Sequence, residues 1–166
     1  IDGATIFGYQ VNNPQDFGVL EFDERKKVLS IEEKPTHPKS NWAVTGLYYY
    51  DNRVIDIAKE IKPSSRGELE ITDVNNMYLA LGELFAEDFG RGFAWLDTGT
   101  PTSLIEASHF IQTLELRQGF KIACLEEIAC RNGWISPEEI IKLSQSSPGG
   151  DYSNYLLKIA KEIESI

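Results

Sequence analysis

The segment Gly92-Phe93-Ala94-Trp95-Leu96-Asp97-Thr98-Gly99-Thr100-Pro101 marks the change from sheet to helix in this sequence. Its first half is an apolar run that predicts a strand near 93–97. Its second half places Thr100 at a helix N-cap and Pro101 at the first helical position. A carboxylate at the carboxyl end of a sheet strand lies where open α/β sheets bind ligands. Asp97 is therefore the first candidate functional residue.

The residues before this segment are mostly strand-like, and the residues after it are helical. Runs of β-branched and aromatic residues separated by turn-forming residues predict strands near 4–11, 17–22, 27–33, 42–50 and 84–89. Amphipathic spacing and end signals predict helices near 52–61, 68–81, 101–118 and 153–164, with short helices between the last two. The fold class is predicted to be α/β, with an α/β part over residues 1–99 and a helical appendage over 100–166.

Composition excludes several classes of partner. With 166 residues and a formal net charge of -10, the chain lacks the excess of Lys and Arg that nucleic acid or an anionic membrane surface selects. No apolar run approaches the roughly 18–20 residues of a membrane-spanning helix. The two cysteines, Cys124 and Cys130, have the wrong spacing for a compact zinc site, and we interpret them as reduced thiols of a cytoplasmic protein.

Acid and base meet at the end of the third predicted strand, in Ile31-Glu32-Glu33-Lys34-Pro35. Strand alternation places Glu33 on the same side as Leu29 and Ile31. A carboxylate among aliphatic residues must be paired or lie at the mouth of a pocket, because burying it alone is costly. Two interpretations stay open: a strand-end Glu33 and Lys34 facing solvent, or Glu33 accepting hydrogen bonds from ligand hydroxyls while Lys34 contacts a phosphate.

Two glycines lie in predicted strands. Gly46 alternates with the bulky residues Val44 and Tyr48, and a glycine inside a strand indicates a bulge or the close approach of another group. A ring of a ligand could stack over Gly46, or the glycine could mark a bulge or simple packing against a helix. Gly18, at the start of the second strand, allows the same functional interpretation or that of a plain turn residue.

Arg66 lies in the loop Pro63-Ser64-Ser65-Arg66-Gly67-Glu68 just before a predicted helix, where it could hold a phosphate or pair with Glu68 or Glu70. Asp97 could serve as one ligand of Mg2+, which in proteins takes one or two carboxylates together with substrate phosphate oxygens. Its alternative role is to close its own turn by accepting hydrogen bonds from the amides of residues 99 or 100.

Five segments carry a resemblance that covers nearly the whole chain in order and spacing. They are Phe17-Gly18-Val19-Leu20-Glu21-Phe22-Asp23, Leu29-Ser30-Ile31-Glu32-Glu33-Lys34-Pro35, Pro38-Lys39-Ser40-Asn41-Trp42-Ala43-Val44-Thr45-Gly46-Leu47-Tyr48, Arg66-Gly67-Glu68-Leu69-Glu70-Ile71-Thr72 and Gly90-Arg91-Gly92-Phe93-Ala94-Trp95-Leu96-Asp97-Thr98-Gly99-Thr100. Together they closely resemble glucose-1-phosphate thymidylyltransferase, a family of sugar nucleotidyltransferases. The segment Glu32-Glu33-Lys34-Pro35 is shared by sugar nucleotidyltransferases in general, whereas the runs from Lys39 to Tyr48 and from Trp95 to Thr100 are more particular to the thymidylyl branch.

The resemblance implies the sugar-binding half of a Rossmann-like mixed sheet and an enzyme that transfers dTMP from dTTP to glucose 1-phosphate. The products are dTDP-glucose and pyrophosphate, on the way to dTDP-rhamnose. It implies Mg2+ as cofactor, a homotetramer and a regulatory nucleotide site. It assigns the glucose to Gly18, Glu33, Val44 and Gly46, the phosphates to Lys34 and Arg66, a magnesium ligand to Asp97, and the regulatory site to Arg91, Glu127 and Ile128.

The family's glycine-rich nucleotide loop does not occur in this sequence. The chain also begins inside a strand-like run, which fits a truncation. We therefore expect the isolated chain to have little or no activity. The alternatives are a nucleotidyltransferase for another base or sugar, and a non-catalytic module that binds a sugar phosphate or regulates an enzyme.

Overall fold

The computed structural model describes residues 2–146 and 149–165. The chain divides into two compact units, Ile1–Trp95 and Leu96–Ile166. All strands of the described residues lie in the first unit, whereas the second contains helices only. The predicted α/β class is confirmed. The functions predicted for 1–99 and 100–166 stay predictions.

The first unit is built on a mixed sheet of five strands. The strands are β1 (Ala4–Gln10), β2 (Gly18–Phe22), β3 (Val28–Glu33), β4 (Trp42–Tyr50) and β5 (Leu84–Asp88). They lie in the order β3-β2-β4-β1-β5. β5 runs parallel to β1, and the other neighbouring pairs are antiparallel. A tight turn joins β2 to β3, in which Asp23 Oδ1 accepts hydrogen bonds from the amides of Arg25 and Lys27, both at 2.8 Å.

The first unit contains the helices α1 (Val54–Glu60) and α2 (Ile71–Ala80), and the second unit contains α3 (Pro101–Gln118), α4 (Leu125–Arg131), α5 (Pro137–Ser144) and α6 (Asp151–Glu164). Local signals set the helix ends: Thr100 forms a capping box with Ser103, Ser136 forms one with Glu139, and Gly119 ends α3 in the left-handed conformation at φ 73°. A 3-10 turn, Pro14–Asp16, precedes β2.

Each unit has its own hydrophobic core. In the first unit, α2 packs against the sheet face that carries Ile6, Leu20 and Ile31, and its Tyr78 is fully buried there. In the second unit, residues of α4 to α6 surround Ile140, which is also fully buried. Burying a side chain of this size contributes about 1.5–3 kcal/mol. Within the described residues, no helix combines the length and apolar character that crossing a membrane requires.

The strand predicted near 93–97 does not form. β5 already pairs with β1, and after it Gly90 turns the chain at φ 69°. Of the apolar residues that follow, Trp95 is half-buried, with its ring 5.0 Å from that of Phe17, whereas Phe93 and Leu96 are 60% and 39% exposed. The Phe93 carbonyl accepts a hydrogen bond of 3.1 Å from the Tyr9 hydroxyl. The apolar run therefore predicted a strand at a place where the chain forms a loop.

Candidate functional site

Glu33 ends β3 and faces α2, not solvent. It lies opposite Gly18 on β2 and follows Ile31 on the core side of the sheet. Its Oε2 accepts a hydrogen bond of 2.5 Å from the Thr72 hydroxyl, and its side chain is 23% exposed. The prediction that Glu33 and Ile31 lie on the same side of the strand is correct. The prediction for Leu29 is wrong: Leu29 is 53% exposed, because a register shift between Glu21 and Phe22 puts an extra residue into β3.

Gly18 provides space beside this carboxylate. It is buried within β2, so the interpretation as a plain turn residue does not hold. A Cβ atom at this position would lie 3.2 Å from Thr72 Oγ1, 3.3 Å from Glu33 Oε2 and 3.8 Å from Val44 Cβ. Any side chain would therefore press on the hydrogen bond between Thr72 and Glu33. The structure brings Gly18, Glu33 and Val44 of the predicted sugar-binding set together.

Arg66 reaches the same carboxylate from the loop before α2. Its guanidinium lies 3.8 Å from Glu33 Oε1 and 3.6 Å from Glu70 Oε1, and it also pairs with Glu68. The hydrogen bond that Arg66 donates to Glu68 is the main cause that raises the pKa of Arg66 above its ordinary value. The predicted pairing with Glu68 and Glu70 is thus present, together with the proximity to Glu33. An arginine held among acceptors in this way presents a fixed cation beside a group that can bind hydroxyls.

Tyr48 of β4 is the aromatic neighbour of Glu33. Burial, and to a lesser degree the charge of Glu33, raise the pKa of the Tyr48 phenol. The ring of Tyr48 stacks on that of Tyr50 at 5.9 Å, and Tyr50 stacks on Tyr78 of α2 at 5.5 Å. Tyr48 is therefore held rigidly, as a neutral phenol able to donate a hydrogen bond.

Gly46 lies in an irregular part of β4. Ile6 pairs with Tyr48 and Gly8 pairs with Val44, so three residues of β4 stand opposite the single residue Phe7. The predicted bulge is present. Apart from Gly46 itself and its two chain neighbours, no described residue has a heavy atom within 4 Å of a Cβ placed on Gly46. The space above this glycine is thus open to a ligand, as the prediction of a stacked sugar ring requires.

Lys34 directly follows Glu33 and is exposed. Its backbone adopts the left-handed conformation at φ 43°, which is unfavourable for a lysine, and its amide donates to the Phe17 carbonyl at 2.9 Å. Among residues 2–146 and 149–165, its ammonium forms no ion pair with a carboxylate. It remains available for an anion.

Asp97 lies at the start of the second unit, in a loop. Its Oδ2 accepts a hydrogen bond of 3.0 Å from the Gly99 amide, so the predicted turn-closing role is present. No group of three or more His, Cys, Asp or Glu side chains in the described part of the chain could hold a metal ion. Since Mg2+ needs only one or two carboxylates when substrate phosphates complete its shell, exposed Asp97 fits as one ligand and not as a whole site.

The three residues predicted for a regulatory site lie in both units. In the first unit, Arg91 lines a cavity of about 610 Å³ together with Tyr9, Lys26 and Trp42. In the second unit, Glu127 accepts hydrogen bonds from Tyr155 and, at 2.8 Å, from Arg131, while Ile128 is 43% exposed. The regulatory role of these residues stays a prediction.

Sequence reasoning missed Thr72 and named Glu70 only as a possible partner of Arg66. Helical spacing alone predicts Ile71 and Leu81 on the inner side of α2, yet they are 40% and 55% exposed, and Thr72 is buried instead. The helix begins at Ile71 after the N-cap Glu70. This start near the Arg66 loop is a signal that could have pointed to both residues, because it places their side chains beside the loop.

These side chains combine acceptors for hydroxyl groups with a cation for an anionic group, which suits a polar ligand carrying a phosphate. The family model described as Nucleotidyl transferase matches residues 1–113 of this chain. The chain belongs to the nucleotidyl transferase family. It is 58% identical to a glucose-1-phosphate thymidylyltransferase from Neisseria meningitidis over 160 residues, which are 96% of this chain and 56% of that protein.

Solved structures agree with this membership. A structure of a glucose-1-phosphate thymidylyltransferase from Bacillus anthracis in complex with sucrose is 47% identical, with a TM-score of 0.59, over 66% of this chain and 43% of that one. A UDP-glucose pyrophosphorylase in complex with UDP-glucose has the same TM-score of 0.59 at 24% identity and shows the fold alone. The chain spans about half the length of the curated relatives it matches.

Proposed function

We propose that this chain forms the sugar-phosphate side of the active site of a glucose-1-phosphate thymidylyltransferase. The reaction transfers dTMP from dTTP to glucose 1-phosphate and gives dTDP-glucose and pyrophosphate. The observation that supports it best is the set of contacts around Glu33, with the Thr72 hydroxyl at 2.5 Å and the Arg66 guanidinium at 3.8 Å. Relatives that are 52–58% identical to this chain are named glucose-1-phosphate thymidylyltransferase, which also supports the proposal.

In this proposal each part of the site has one task. Glu33 accepts hydrogen bonds from glucose hydroxyls, and Gly18, Val44 and Gly46 leave room for the ring. Lys34 and Arg66 hold phosphate oxygens, so that the sugar phosphate is oriented for in-line attack on the α-phosphorus of dTTP. Positioning and charge neutralisation supply the catalysis, and no covalent intermediate with the protein is needed.

Asp97 would hold Mg2+, which when bound neutralises charge on substrate phosphate oxygens. The proposal places the enzyme in the cytoplasm and in the formation of dTDP-rhamnose, as a homo-oligomer, by analogy with the family. The two free cysteines, both buried, fit a reducing compartment. The nucleotide-binding side would come from polypeptide outside these 166 residues.

A chimera tests this function. The part of the Neisseria meningitidis relative that aligns with this chain is replaced by this chain, and formation of dTDP-glucose from dTTP and glucose 1-phosphate is measured, with UTP, GTP and ATP as competitors for specificity. We expect turnover with dTTP, and its loss in the Glu33→Gln variant of the chimera. A folded chimera without turnover would refute the proposal and favour a non-catalytic module. If the chimera preferred UTP, GTP or ATP to dTTP, the chain would instead belong to a nucleotidyltransferase for another base.

A further inference from the structure

Glu70 is a buried carboxylate with no task in the function described so far. The residue is 9% exposed and lies at the N-cap of α2. Its Oε1 accepts a hydrogen bond of 2.8 Å from the Ser64 hydroxyl and lies 3.6 Å from the Arg66 Nε atom. A carboxylate is kept in such a place only when its neighbours compensate for its lost hydration. Here the neighbours are both residues of the Arg66 loop.

Glu70 also controls the backbone of that loop through Ser64. The Ser64 hydroxyl donates to Glu70 and at the same time accepts a hydrogen bond of 3.1 Å from the Arg66 amide. The Ser64 backbone amide donates to the Glu68 carbonyl at 2.8 Å, which closes the loop. Glu70 therefore holds the Arg66 side chain by an ion pair at 3.6 Å, without a hydrogen bond, and holds the Arg66 backbone through one hydroxyl.

Glu68 has a different relation to Arg66. It accepts a hydrogen bond from the same guanidinium, but its side chain is 63% exposed, against 10% for Glu70. Exposed ion pairs contribute little to stability and exchange readily with solvent or another anion. A ligand phosphate can replace Glu68 at the guanidinium, whereas Glu70 stays in place behind it.

We propose that Glu70 is a positioning residue that sets the direction in which Arg66 faces the phosphate of a bound sugar phosphate. This inference rests on the proposed function for the identity of the ligand. Glu70 touches no substrate in it; it acts through Arg66 and Ser64. A guanidinium held in one direction loses less freedom when it binds an anion, and this raises its affinity for the anion.

Whether removal of the Glu70 charge strengthens or weakens phosphate binding distinguishes a positioning role from simple charge repulsion. If Glu70 were only a nearby negative charge, its removal would strengthen phosphate binding, because it would remove repulsion. If Glu70 positions Arg66, its removal weakens binding. The matched variants Glu70→Gln and Glu68→Gln make the same chemical change at the two residues that flank Leu69, so they share any long-range charge effect.

The test uses the 166-residue chain with two measurements. The first is the {1H}-15N heteronuclear NOE of the Arg66 Nε–H group without ligand. We expect it to fall in Glu70→Gln, to fall partly in Ser64→Ala and to stay high in Glu68→Gln. The second is a calorimetric titration with glucose 1-phosphate. The dissociation constant should rise about fivefold in Glu70→Gln and should not rise in Glu68→Gln.

An Arg66 Nε–H group as rigid in Glu70→Gln as in wild type would overturn the inference, and so would tighter binding by that variant. Thermal unfolding of each variant verifies that it is folded, and Ser64→Ala keeps the test valid if Glu70→Gln does not fold. If wild type binds no glucose 1-phosphate, the proposed function fails. The NOE measurement without ligand still decides whether Glu70 positions Arg66.

Discussion

Replacing Thr72 with valine removes one hydroxyl and keeps the shape of the side chain. Thr72 is 4% exposed, and its hydroxyl donates to Glu33 Oε2 at 2.5 Å. In Thr72→Val, the Glu33 carboxylate loses its shortest contact and retains the Arg66 guanidinium at 3.8 Å. The variant therefore tests whether this hydrogen bond fixes the carboxylate that we assign to the sugar.

The magnitude follows from the type of hydrogen bond and from its exposure. Hydrogen bonds to charged groups contribute about 1.5–3 kcal/mol. The Glu33 side chain is 23% exposed, so water can replace part of the lost contact, and the lower end of that range applies. We expect the free energy of unfolding of the first unit to fall by about 1.5 kcal/mol. For a unit of this size, that lowers its melting temperature by roughly 6–12 °C.

The assay combines thermal unfolding followed by circular dichroism with titration of glucose 1-phosphate. Affinity should fall about tenfold in Thr72→Val, because the carboxylate no longer has one fixed direction. Thr72→Ser keeps the hydroxyl and is the matched control, which should retain affinity. The reasoning would be refuted if Thr72→Val bound the ligand as tightly as wild type, or if Thr72→Ser lost as much affinity as Thr72→Val.

Three further predictions concern other parts of the chain. Gly46→Ala should leave the melting temperature nearly unchanged, since no atom outside its chain neighbours lies within 4 Å of the new methyl group. The same variant should bind glucose 1-phosphate more weakly in calorimetry, and unchanged binding would exclude a ring above Gly46. Burial, together with the hydrogen bond to Glu127, raises the pKa of Tyr155 from 10.0 to about 12. The protonated Tyr155 phenol therefore stabilises the fold fully below about pH 10, and this stabilisation is lost as the pH rises to about 12. Melts over this range should show a smaller loss in Tyr155→Phe than in wild type, and parallel losses would contradict the assignment. The isolated chain should release little or no pyrophosphate from dTTP and glucose 1-phosphate, and substantial turnover would show that no further polypeptide is needed.

Features with local causes could be predicted from the sequence. Thr100 and Ser136 each cap a helix with residues three positions away, and Gly119 ends α3 with its own backbone conformation. The bulge at Gly46 has a local signal too, because a glycine between bulky strand residues indicates one. In such cases a few neighbouring residues contain the whole cause, so the sequence is sufficient.

The environment of Glu33 has a cause that is distant in the chain. The Thr72 hydroxyl that binds it comes from 39 residues further on, and only the packing of α2 on the sheet brings the two together. The alternation of residues in β3 indicated the side of Glu33 but not its partner. For the same reason, the predicted strand near 93–97 was wrong: its composition fits a strand, but a strand needs a pairing partner, and the composition of the segment does not specify one.

The most direct test of the sugar-phosphate site is an NMR titration of the chain with glucose 1-phosphate, with glucose and inorganic phosphate as separate probes. We predict saturable shifts at the amides of Gly18, Glu33 and Gly46 and at the Arg66 side chain, stronger with glucose 1-phosphate than with either part alone. Glu33→Gln should abolish them. The absence of saturable shifts at these residues in the folded chain, or shifts confined to the helical unit, would contradict the account.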